Sequence, residues 1–360
     1  MTTATLERPQ TAAPAPTDQQ VQAYLRTGLR NRWWPILPSR FIETGGRPVG
    51  IMRLGEPLVL WRDAAGTVHV QTDRCPHRAV PLSRGVNQGD RLRCKYHGVE
   101  VGPDGKVLSV PGQPGCPLEG KKAVKTYPCR EVADAVFAWF GDALHEAAPD
   151  FVPPAELCAE EYARFLCYAD WEMAWRYCYD NLMDPMHGTF LHAHSHTMYQ
   201  GDTQARFITR GTPHGFIFEK EGQRDVNFDW SELVDDGALY VRLEIPYPPS
   251  GGPGGNFGIV AFATPIDENR MAGFFWRVRK VSGWQRDVWR FLYRMTIEPR
   301  HWAVLEQDRE ILSGVRPGLE KFEMLYQHDA GVIRMRRYLA AQARAQLIDL
   351  EAADNARRSR

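Results

Sequence analysis

The chain has no excess of either charge and no long apolar run, and each of these absences excludes a class of protein. Lysine plus arginine and aspartate plus glutamate both number 44 in 360 residues, so the formal net charge is zero. Without a basic excess, the chain lacks the electrostatic footprint of a nucleic-acid-binding protein. No apolar run approaches the roughly 20 residues that span a bilayer. We therefore expect no nucleic acid and no membrane as a partner.

The N-terminal segment lacks the features of an export signal. Residues 1–20 are rich in Ala, Thr, Pro and Gln and contain no apolar stretch of the kind found in a secretory signal peptide. This composition favours disorder, because such a segment has little apolar surface to bury. We expect residues 1–22 to form a disordered tail and the protein to be cytoplasmic.

Two short segments each pair a cysteine with a histidine: Cys75-Pro-His77 and Cys94-Lys-Tyr-His97. Zinc-finger ligands are usually grouped differently, as one cysteine pair and one histidine pair. A Rieske [2Fe–2S] centre needs two cysteines on one iron and two histidines on the other. Two loops that each deliver one thiolate and one imidazole supply that set. The pattern therefore favours Cys75, His77, Cys94 and His97 as cluster ligands, with a zinc-stabilised loop pair as the alternative.

The remaining cysteines do not suggest a disulfide framework. The chain has seven cysteines, so five remain after Cys75 and Cys94 are assigned to the cluster. In a reducing compartment, such an odd remainder indicates buried free thiols.

A second group of potential metal ligands follows: Asn181, Asp184, His187 and His192. Two histidines and a carboxylate form the facial triad that holds Fe(II) and leaves positions open for O2. On a helix, Asp184 and His187 share a face, whereas His192 lies about 140° further round. We therefore expect the helix to break near Gly188, a poor helix former, so that His192 can approach the same metal.

The third ligand should be a carboxylate on another element. Residues 304–312 have a helical pattern in which Asp308 falls on the apolar face, three positions from Leu305 and Ile311 and four from Val304 and Leu312. A charged Asp there is costly unless it is paired or bound to a metal. Glu306 and Glu310 point away from this face. Asp308 is therefore the candidate, and an ion pair with Arg or Lys is the alternative.

The order of elements predicts an α+β fold with two domains. Strand-like runs and turns occupy the first part, a Pro-containing linker lies at Ala147–Pro154, and strands followed by long helices occupy the second part. We expect domains at 23–146 and 155–350. β-rich segments are expected at Pro48–Trp61, Thr67–Thr72, Leu92–Val101 and Val132–Trp139. Strands are expected at Gln204–Thr209, Gly215–Glu219, Leu239–Pro246, Phe257–Thr264 and Met271–Val278, and helices at Ser282–Gly314 and Gly331–Ala352.

The motifs C-P-H-R, C-x-Y-H-G and N-x2-D-x2-H-x4-H resemble those of the Rieske non-haem iron oxygenases, in particular the terminal oxygenase (α) subunits of the ring-hydroxylating family. The resemblance covers nearly the whole chain between its tails. It favours His192 over His194 and His196 as second iron ligand, and it supports Asp308 as the third. One departure is Val99, where the family commonly has Trp.

This resemblance implies a fold and an assembly. The expected fold is a β-rich Rieske [2Fe–2S] domain followed by a helix-grip catalytic domain on an antiparallel sheet. The expected assembly is a homotrimer in which Asp184 bridges His97 of one subunit and His187 of the next. A carboxylate that holds the free nitrogens of two metal-bound imidazoles is ordinary chemistry around metal sites.

The resemblance also implies a reaction. Electrons from NAD(P)H pass through a reductase, a ferredoxin or both to the cluster, then to a mononuclear Fe(II), where O2 as co-substrate is activated to hydroxylate a small aromatic or similarly apolar ring. Alternatives are a monooxygenating O- or N-demethylase and a protein that only carries electrons.

Asp184 and Asn181 are the expected catalytic residues beside the metal ligands. The substrate pocket should draw on Asn181 and Met183. Arg206, Arg210 and Arg242 could recognise a substrate carboxylate, although exposed arginines on strands are commoner.

Overall fold

The computed structural model describes residues 15–145, 147–195, 198, 200–247 and 254–358. Within this part of the chain, all strand ladders are antiparallel and belong to four sheets. The first eleven strands are β1 (Arg32–Pro38), β2 (Val49–Arg53), β3 (Glu56–Arg62), β4 (Val68–Thr72), β5 (Val86–Asn87), β6 (Leu92–Arg93), β7 (Glu100–Val101), β8 (Val107–Ser109), β9 (Thr126–Tyr127), β10 (Cys129–Val132) and β11 (Ala135–Phe140).

These strands form three small sheets, with the orders β1-β11-β10, β2-β3-β4-β9 and β5-β6-β7-β8. The segment Leu92–Val101, predicted to be β-rich, is not one continuous strand. It is two strands of two residues each, β6 and β7, separated by the loop that contains Cys94 and His97. The first Cys–His segment likewise lies in a loop, between β4 and β5. The small sheets therefore present both segments on loops.

A seven-stranded sheet occupies the second part of the chain, in the order β12-β18-β17-β16-β15-β14-β13. The five strands predicted there are present, and two were missed. In β15 (Trp230–Asp235), Ser231 and Glu232 are 0% and 6% exposed, so polar residues occupy buried positions and hide the strand pattern. The strands are β12 (Tyr162–Trp171), β13 (Phe207–Thr212), β14 (Gly215–Lys220), β15, β16 (Leu239–Tyr247), β17 (Gly255–Pro265) and β18 (Met271–Lys280).

The helices of the described residues pack around these sheets. The predicted helical region at Ser282–Gly314 consists of α5 and α6, joined by a π-helical turn at Tyr293–Ile297. The predicted terminal helix begins at Ala330 and continues to Arg358. The helices are α1 (Asp18–Arg26), α2 (Ala155–Cys158), α3 (Trp175–Leu182), α4 (His187–Leu191), α5 (Trp284–Leu292), α6 (Glu298–Leu312) and α7 (Ala330–Arg358).

The disordered tail predicted for residues 1–22 is wrong at its C-terminal end, and residues 1–14 lie outside the described residues. Helix α1 begins at Asp18 with a capping box between Thr17 and Gln20. Its apolar face is buried, since Val21 is 1% exposed and Leu25 is 4% exposed. A capping box followed by a short apolar stripe specifies a helix N-terminus, and the Pro- and Thr-rich composition obscured it.

The first part of the chain holds the helix that leads into the second ligand motif. The indole of Trp175, at the start of α3, donates a hydrogen bond of 2.7 Å to the carbonyl of Leu25. Trp34 of β1 packs edge-on against Trp175, with ring centroids 5.9 Å apart. In addition, the N–H of Trp33 donates to the carbonyl of Gly237, beside the large sheet. These contacts set the position of α3 and therefore of the residues that follow it.

A helix that crosses a bilayer must be both long and strongly apolar. Among the described residues, no helix combines the necessary length with sufficient apolar character.

Candidate metal centres

The two Cys–His loops share one backbone design. In the first loop, the N–H of Cys75 donates to the carbonyl of Val80, and the N–H of Ala79 donates to the carbonyl of Cys75, both at 2.8 Å. In the second loop, the N–H of Cys94 donates to the carbonyl of Val99, and the N–H of Gly98 donates to the carbonyl of Cys94, both at 2.9 Å. The fourth residue after each cysteine has positive φ, 56° at Ala79 and 74° at Gly98. The matching turns hold the two ligand pairs against each other.

The four candidate ligands are arranged with sulfur inside and nitrogen outside. Cys75 and Cys94 are 3% and 2% exposed, whereas His77 and His97 are exposed, with ring centroids 4.6 Å apart. Burial raises the pKa of the Cys75 thiol, because a buried thiolate is destabilised. Binding to a metal offsets this destabilisation, since metals bind the deprotonated form. This donor set fits a [2Fe–2S] cluster with one iron near the thiols and one near the imidazoles.

A single zinc ion fits these loops less well. Zinc holds its four ligands at about 2.0–2.3 Å, so their donor atoms must converge tightly. Among the described residues, the one group of three or more Cys, His, Asp or Glu whose donor atoms converge within 4.8 Å lies elsewhere. The loops therefore favour a two-iron cluster over the zinc alternative.

That converging group is formed by His187, His192 and Asp308. Oδ1 of Asp308 lies 3.1 Å from Nε2 of His192 and 3.6 Å from Nε2 of His187. His192 is 1% exposed and Asp308 is 7% exposed. Of the rival ligands, His194 is exposed and outside the group, and His196 lies outside the described residues. The three predicted side chains thus meet at one point, and their role as iron ligands stays a prediction.

The helix break that brings the two histidines together does not fall near Gly188, and that prediction is wrong. Helix α3 ends at Leu182, residues 183–186 form a turn, and α4 begins at His187. Pro185 explains the turn, because proline lacks an N–H and disfavours a helical conformation in the residue before it. His192 follows the end of α4 as its C-cap. Asp184 therefore lies in the turn and not on one helix face with His187.

Gly188 has a packing role instead. It lies inside α4, and a Cβ added there would meet Cε of Met198 at 3.0 Å and Cδ1 of Phe228 at 3.2 Å. The absence of a side chain lets α4 approach these two residues closely.

The outer nitrogens of both imidazoles are held by other groups. Nδ1 of His192 lies 2.8 Å from Oε1 of Gln307, and Nδ1 of His187 lies 2.5 Å from the main-chain oxygen of Asp184. Nδ2 of Asn181 donates to Oδ1 of Asp308 at 3.2 Å. Because Nδ1 is engaged in each ring, Nε2 is directed inward as a metal ligand requires. Gln307 was missed in the sequence; its only signal is its position directly before Asp308.

The main-chain oxygen of Asp184, and not its carboxylate, holds His187 within one chain. Its carboxylate oxygen Oδ1 accepts the N–H of Met186 at 2.9 Å. Burial raises the pKa of Asp184, and the neighbouring His187 opposes that shift. The predicted contact with His97 requires a second subunit and stays a prediction.

Electrostatics around His192 favour a positive charge at the point where the three side chains meet. Burial lowers the pKa of His192, but the hydrogen bond and charge of Asp308 outweigh burial, so the pKa is raised. A group of two imidazoles and one carboxylate that attracts a cation, with apolar surroundings, is suited to a divalent metal.

The group lines a small apolar cavity of about 40 Å³. This volume is below the range of about 300–1,000 Å³ that is typical of small-molecule sites, so the lining side chains would have to move apart to admit a ring compound. Besides the three candidate ligands, the cavity is lined by Trp171, Cys178, Asn181, Leu182, Met198, Phe228, Leu243, Ile245, Ile259, Phe275, Arg277, Val304 and Leu305.

The residues predicted to form the pocket fall both inside and outside this cavity. Asn181 lines it, whereas Met183 is 0% exposed and packs in the main core, so the prediction for Met183 is wrong. Arg206, Arg210 and Arg242 lie outside the cavity, and each pairs with a glutamate of the chain. The arginine in the cavity wall is Arg277, which the sequence did not single out.

The free cysteines are less uniformly buried than expected. No disulfide forms among the seven cysteines, all of which lie in the described residues. Outside the cluster loops, Cys116, Cys167 and Cys178 are buried, Cys129 is half-buried and Cys158 is exposed. The prediction of buried thiols is therefore wrong for Cys158.

Two family models match the chain. Residues 32–128 match the Rieske [2Fe-2S] domain, and residues 171–345 match the vanillate O-demethylase oxygenase C-terminal domain. These ranges are shorter than the predicted domains 23–146 and 155–350, whose limits stay predictions.

Curated proteins and solved structures are also similar to the chain. The chain is 28% identical over 264 residues to the phthalate 4,5-dioxygenase oxygenase subunit of Pseudomonas putida, covering 69% of this chain and 59% of that protein. It is 33% identical over 175 residues to the vanillate O-demethylase oxygenase subunit of Pseudomonas sp. (strain HR199 / DSM 7063), covering 46% of each. The reduced complex between oxygenase and ferredoxin in carbazole 1,9a-dioxygenase matches with a TM-score of 0.69 and 19% identity, covering 88% of this chain and 89% of that one.

The chain therefore combines a Rieske [2Fe-2S] domain with an oxygenase C-terminal domain, and the curated relatives that it resembles are oxygenase (α) subunits of Rieske oxygenases. The predicted α+β fold, a Rieske domain followed by a catalytic domain on a large antiparallel sheet, is confirmed. The chain spans less than two thirds of the length of the first curated relatives that it matches.

Proposed function

We propose that the protein is the terminal oxygenase of a multicomponent Rieske system, which uses O2 to hydroxylate an aromatic or similarly apolar ring compound. The observation that carries this proposal is the convergence of His187, His192 and Asp308 at the wall of an apolar cavity, in a chain that also has paired Cys–His loops. A protein that only carries electrons would need the loops alone.

The two sets of donors have separate tasks. Cys75, His77, Cys94 and His97 would hold the [2Fe–2S] cluster, and the convergent group would hold Fe(II). When bound, the cluster supplies single electrons and the Fe(II) supplies the site of O2 reduction. We propose that electrons come from NAD(P)H through a reductase, a ferredoxin or both. The similar carbazole 1,9a-dioxygenase structure is a complex of that oxygenase with a ferredoxin, which supports a partner of this kind.

The residues around the iron site orient its ligands. Gln307 and the main-chain oxygen of Asp184 fix the two imidazoles, and Asn181 holds one oxygen of Asp308. The apolar lining, which includes Phe228 and Phe275, excludes water and offers flat surfaces to a ring. These residues therefore hold the substrate beside the metal ligands without themselves exchanging protons.

Asp184 is our candidate for the bridge between centres. Because its main-chain oxygen holds His187 and its Oδ1 accepts the N–H of Met186, its other carboxylate oxygen is left to accept the ring N–H of His97 from a neighbouring subunit. Such a contact requires an oligomer, and we propose a homotrimer in which each Rieske domain serves the iron of the next subunit. The molar mass in solution, measured by light scattering, tests this assembly directly.

Oxidative demethylation is the second candidate reaction. The match of residues 171–345 to the vanillate O-demethylase oxygenase C-terminal domain favours it. A further relative is the 5,5'-dehydrodivanillate O-demethylase oxygenase subunit of Sphingobium sp. (strain NBRC 103272 / SYK-6), 26% identical over 266 residues. Ring dioxygenation, monooxygenation and demethylation use the same metal ligands, so these motifs do not separate them.

Turnover under labelled oxygen separates these reactions. The purified protein, a reductase and NAD(P)H would be incubated under 18O2 with a panel of aromatic acids, methoxyarenes and neutral arenes, and products analysed by mass. Two labelled atoms in one product indicate dioxygenation, one indicates monooxygenation, and loss of a methyl group as formaldehyde indicates demethylation. Coupled consumption of O2 and NAD(P)H without any oxidised product across the panel would count against the proposal.

A further inference from the structure

The wall of the cavity contains an arginine that has no partner among the described residues. Arg277, on β18, is 3% exposed and lines the cavity together with His192 and Asp308. Its Nε makes no hydrogen bond, and within the part of the chain that the structure describes its guanidinium forms no ion pair. A guanidinium is protonated at any physiological pH, so the cavity wall carries a permanent positive charge.

The groups near Arg277 do not neutralise this charge. Its field reaches His192 and Tyr293, and burial raises the pKa of Tyr293, which keeps its hydroxyl neutral. Among the described residues, Asp308 is the one carboxylate in the cavity lining, and it lies against two imidazoles and Asn181. With a metal bound, its charge would be committed to that metal.

A buried cation in this state is costly for the folded protein. Burying a charge without a partner is among the largest penalties that a protein can carry. The other arginines considered for carboxylate recognition bear no such cost, because each pairs with a glutamate. Arg277 destabilises the protein without ligand and lines the candidate active site. A negatively charged group on the substrate best explains why it is there.

We propose that Arg277 binds a carboxylate of the substrate, so that the substrate class is an aromatic carboxylate. This inference rests on the proposed function, because it assumes that the cavity receives the substrate. A planar guanidinium pairs with a carboxylate through two parallel hydrogen bonds. Ile259, opposite Arg277 in the sheet, and Phe275, two positions before it, also line the cavity and would contact the ring.

Ligand affinity tests the proposal without turnover. We would titrate the cluster-containing protein by calorimetry, under anaerobic conditions, with benzoate, 4-hydroxybenzoate and 1-naphthoate, and with the primary amide of each acid. The wild type should bind at least one acid tighter than its amide. Arg277→Gln should weaken acid binding by about 10- to 100-fold, the range for a hydrogen bond to a charged group, and should change amide binding by less than about threefold.

Arg210→Gln is the matched control. Arg210 has the same charge, but its side chain is 59% exposed and pairs with Glu219. Its loss should leave the affinity for every acid unchanged. An equal fall in Arg210→Gln and Arg277→Gln would mean that overall charge, and not a specific contact, attracts the acids, and would overturn the proposal.

Thermal unfolding separates a binding role from a structural one. Arg277→Met should unfold at the same or a higher temperature than the wild type without ligand, because it removes an unpaired buried charge. The acid that binds the wild type should raise its unfolding temperature by mass action, and this rise should be lost in Arg277→Met. A lower unfolding temperature together with equal losses of acid and amide binding would show that Arg277 is structural.

Other results would also overturn the inference. The first is that the wild type binds acid and amide with equal affinity. The second is that acid affinity survives Arg277→Gln, as direct binding of the acid to iron would produce. The third is that no acid in the panel binds. Iron and sulfide would be quantified in the same samples. Wild-type samples that lack mononuclear iron count against the proposed function. Wild-type samples with full iron that bind acid and amide equally count against the role of Arg277 alone.

Discussion

Replacing Gln307 with leucine should weaken the mononuclear iron site and leave the cluster unchanged. Oε1 of Gln307 lies 2.8 Å from Nδ1 of His192, whose ring is 1% exposed. A metal-bound imidazole is neutral and carries its proton on Nδ1, so leucine leaves a buried donor without an acceptor. That loss costs about 1–3 kcal/mol, which corresponds to about a 5- to 150-fold weaker affinity for iron. Losses of groups that orient metal ligands commonly fall in a similar range.

The assay is iron content after dialysis against a series of chelator concentrations, with the cluster followed by its visible absorbance. Gln307→Glu is the control, because glutamate keeps an acceptor at nearly the same position and should restore most of the affinity. Cluster absorbance should be equal in all three proteins. Unchanged iron affinity and activity in Gln307→Leu would show that His192 does not depend on Gln307 and would refute the reasoning.

Three further predictions concern single residues. Asp184→Asn should load both metal centres but slow reoxidation of the reduced cluster by substrate and O2 about ten- to a hundredfold or more, and reoxidation at the wild-type rate with full iron content would make Asp184 only structural. Asp308→Ala should lose mononuclear iron and activity while cluster colour persists. Glu306→Ala, on the exposed side of the same helix, should keep its mononuclear iron and activity. Full turnover by Asp308→Ala would show that another residue is the third ligand. Burial raises the pKa of Asp229 to about 6, so the folded state binds this proton more tightly than the unfolded state and loses stability as pH rises from about 4 to 6. Asp229→Asn should therefore raise the unfolding temperature at pH 7.5 but not at pH 4. An equal effect at both pH values would contradict this linkage.

The sequence could single out candidate ligands that the structure brings together because their motifs are local. Cys75 and Cys94 begin loops of the same backbone design, and the spacing of His187 and His192 is short enough for one turn and one short helix to set their geometry. Asp308 was predicted because an ionised carboxylate on an apolar helix face is costly unless a cation or a metal balances its charge.

Contacts between distant elements were not predictable in this way. The polar partner of His192 comes from α6, 115 residues later in the chain. Arg277 lies in β18, where nine of ten residues are buried, so no alternation of polar and apolar residues indicates which face its side chain takes. The break before His187 was misplaced because the prediction rested on Gly188 and did not consider Pro185, although proline disrupts a helix more strongly than glycine.

The central claim is that the cluster of this chain reduces O2 at an iron held by His187, His192 and Asp308. A single-turnover experiment tests it most directly: the cluster is reduced with dithionite, the excess reductant is removed, and a substrate and 18O2 are added. We predict a red-brown protein with about three irons per chain, cluster reoxidation together with labelled product in the wild type, and in His187→Ala an intact reducible cluster without product. A colourless protein with stoichiometric zinc, or labelled product from His187→Ala at the wild-type yield, would contradict this claim.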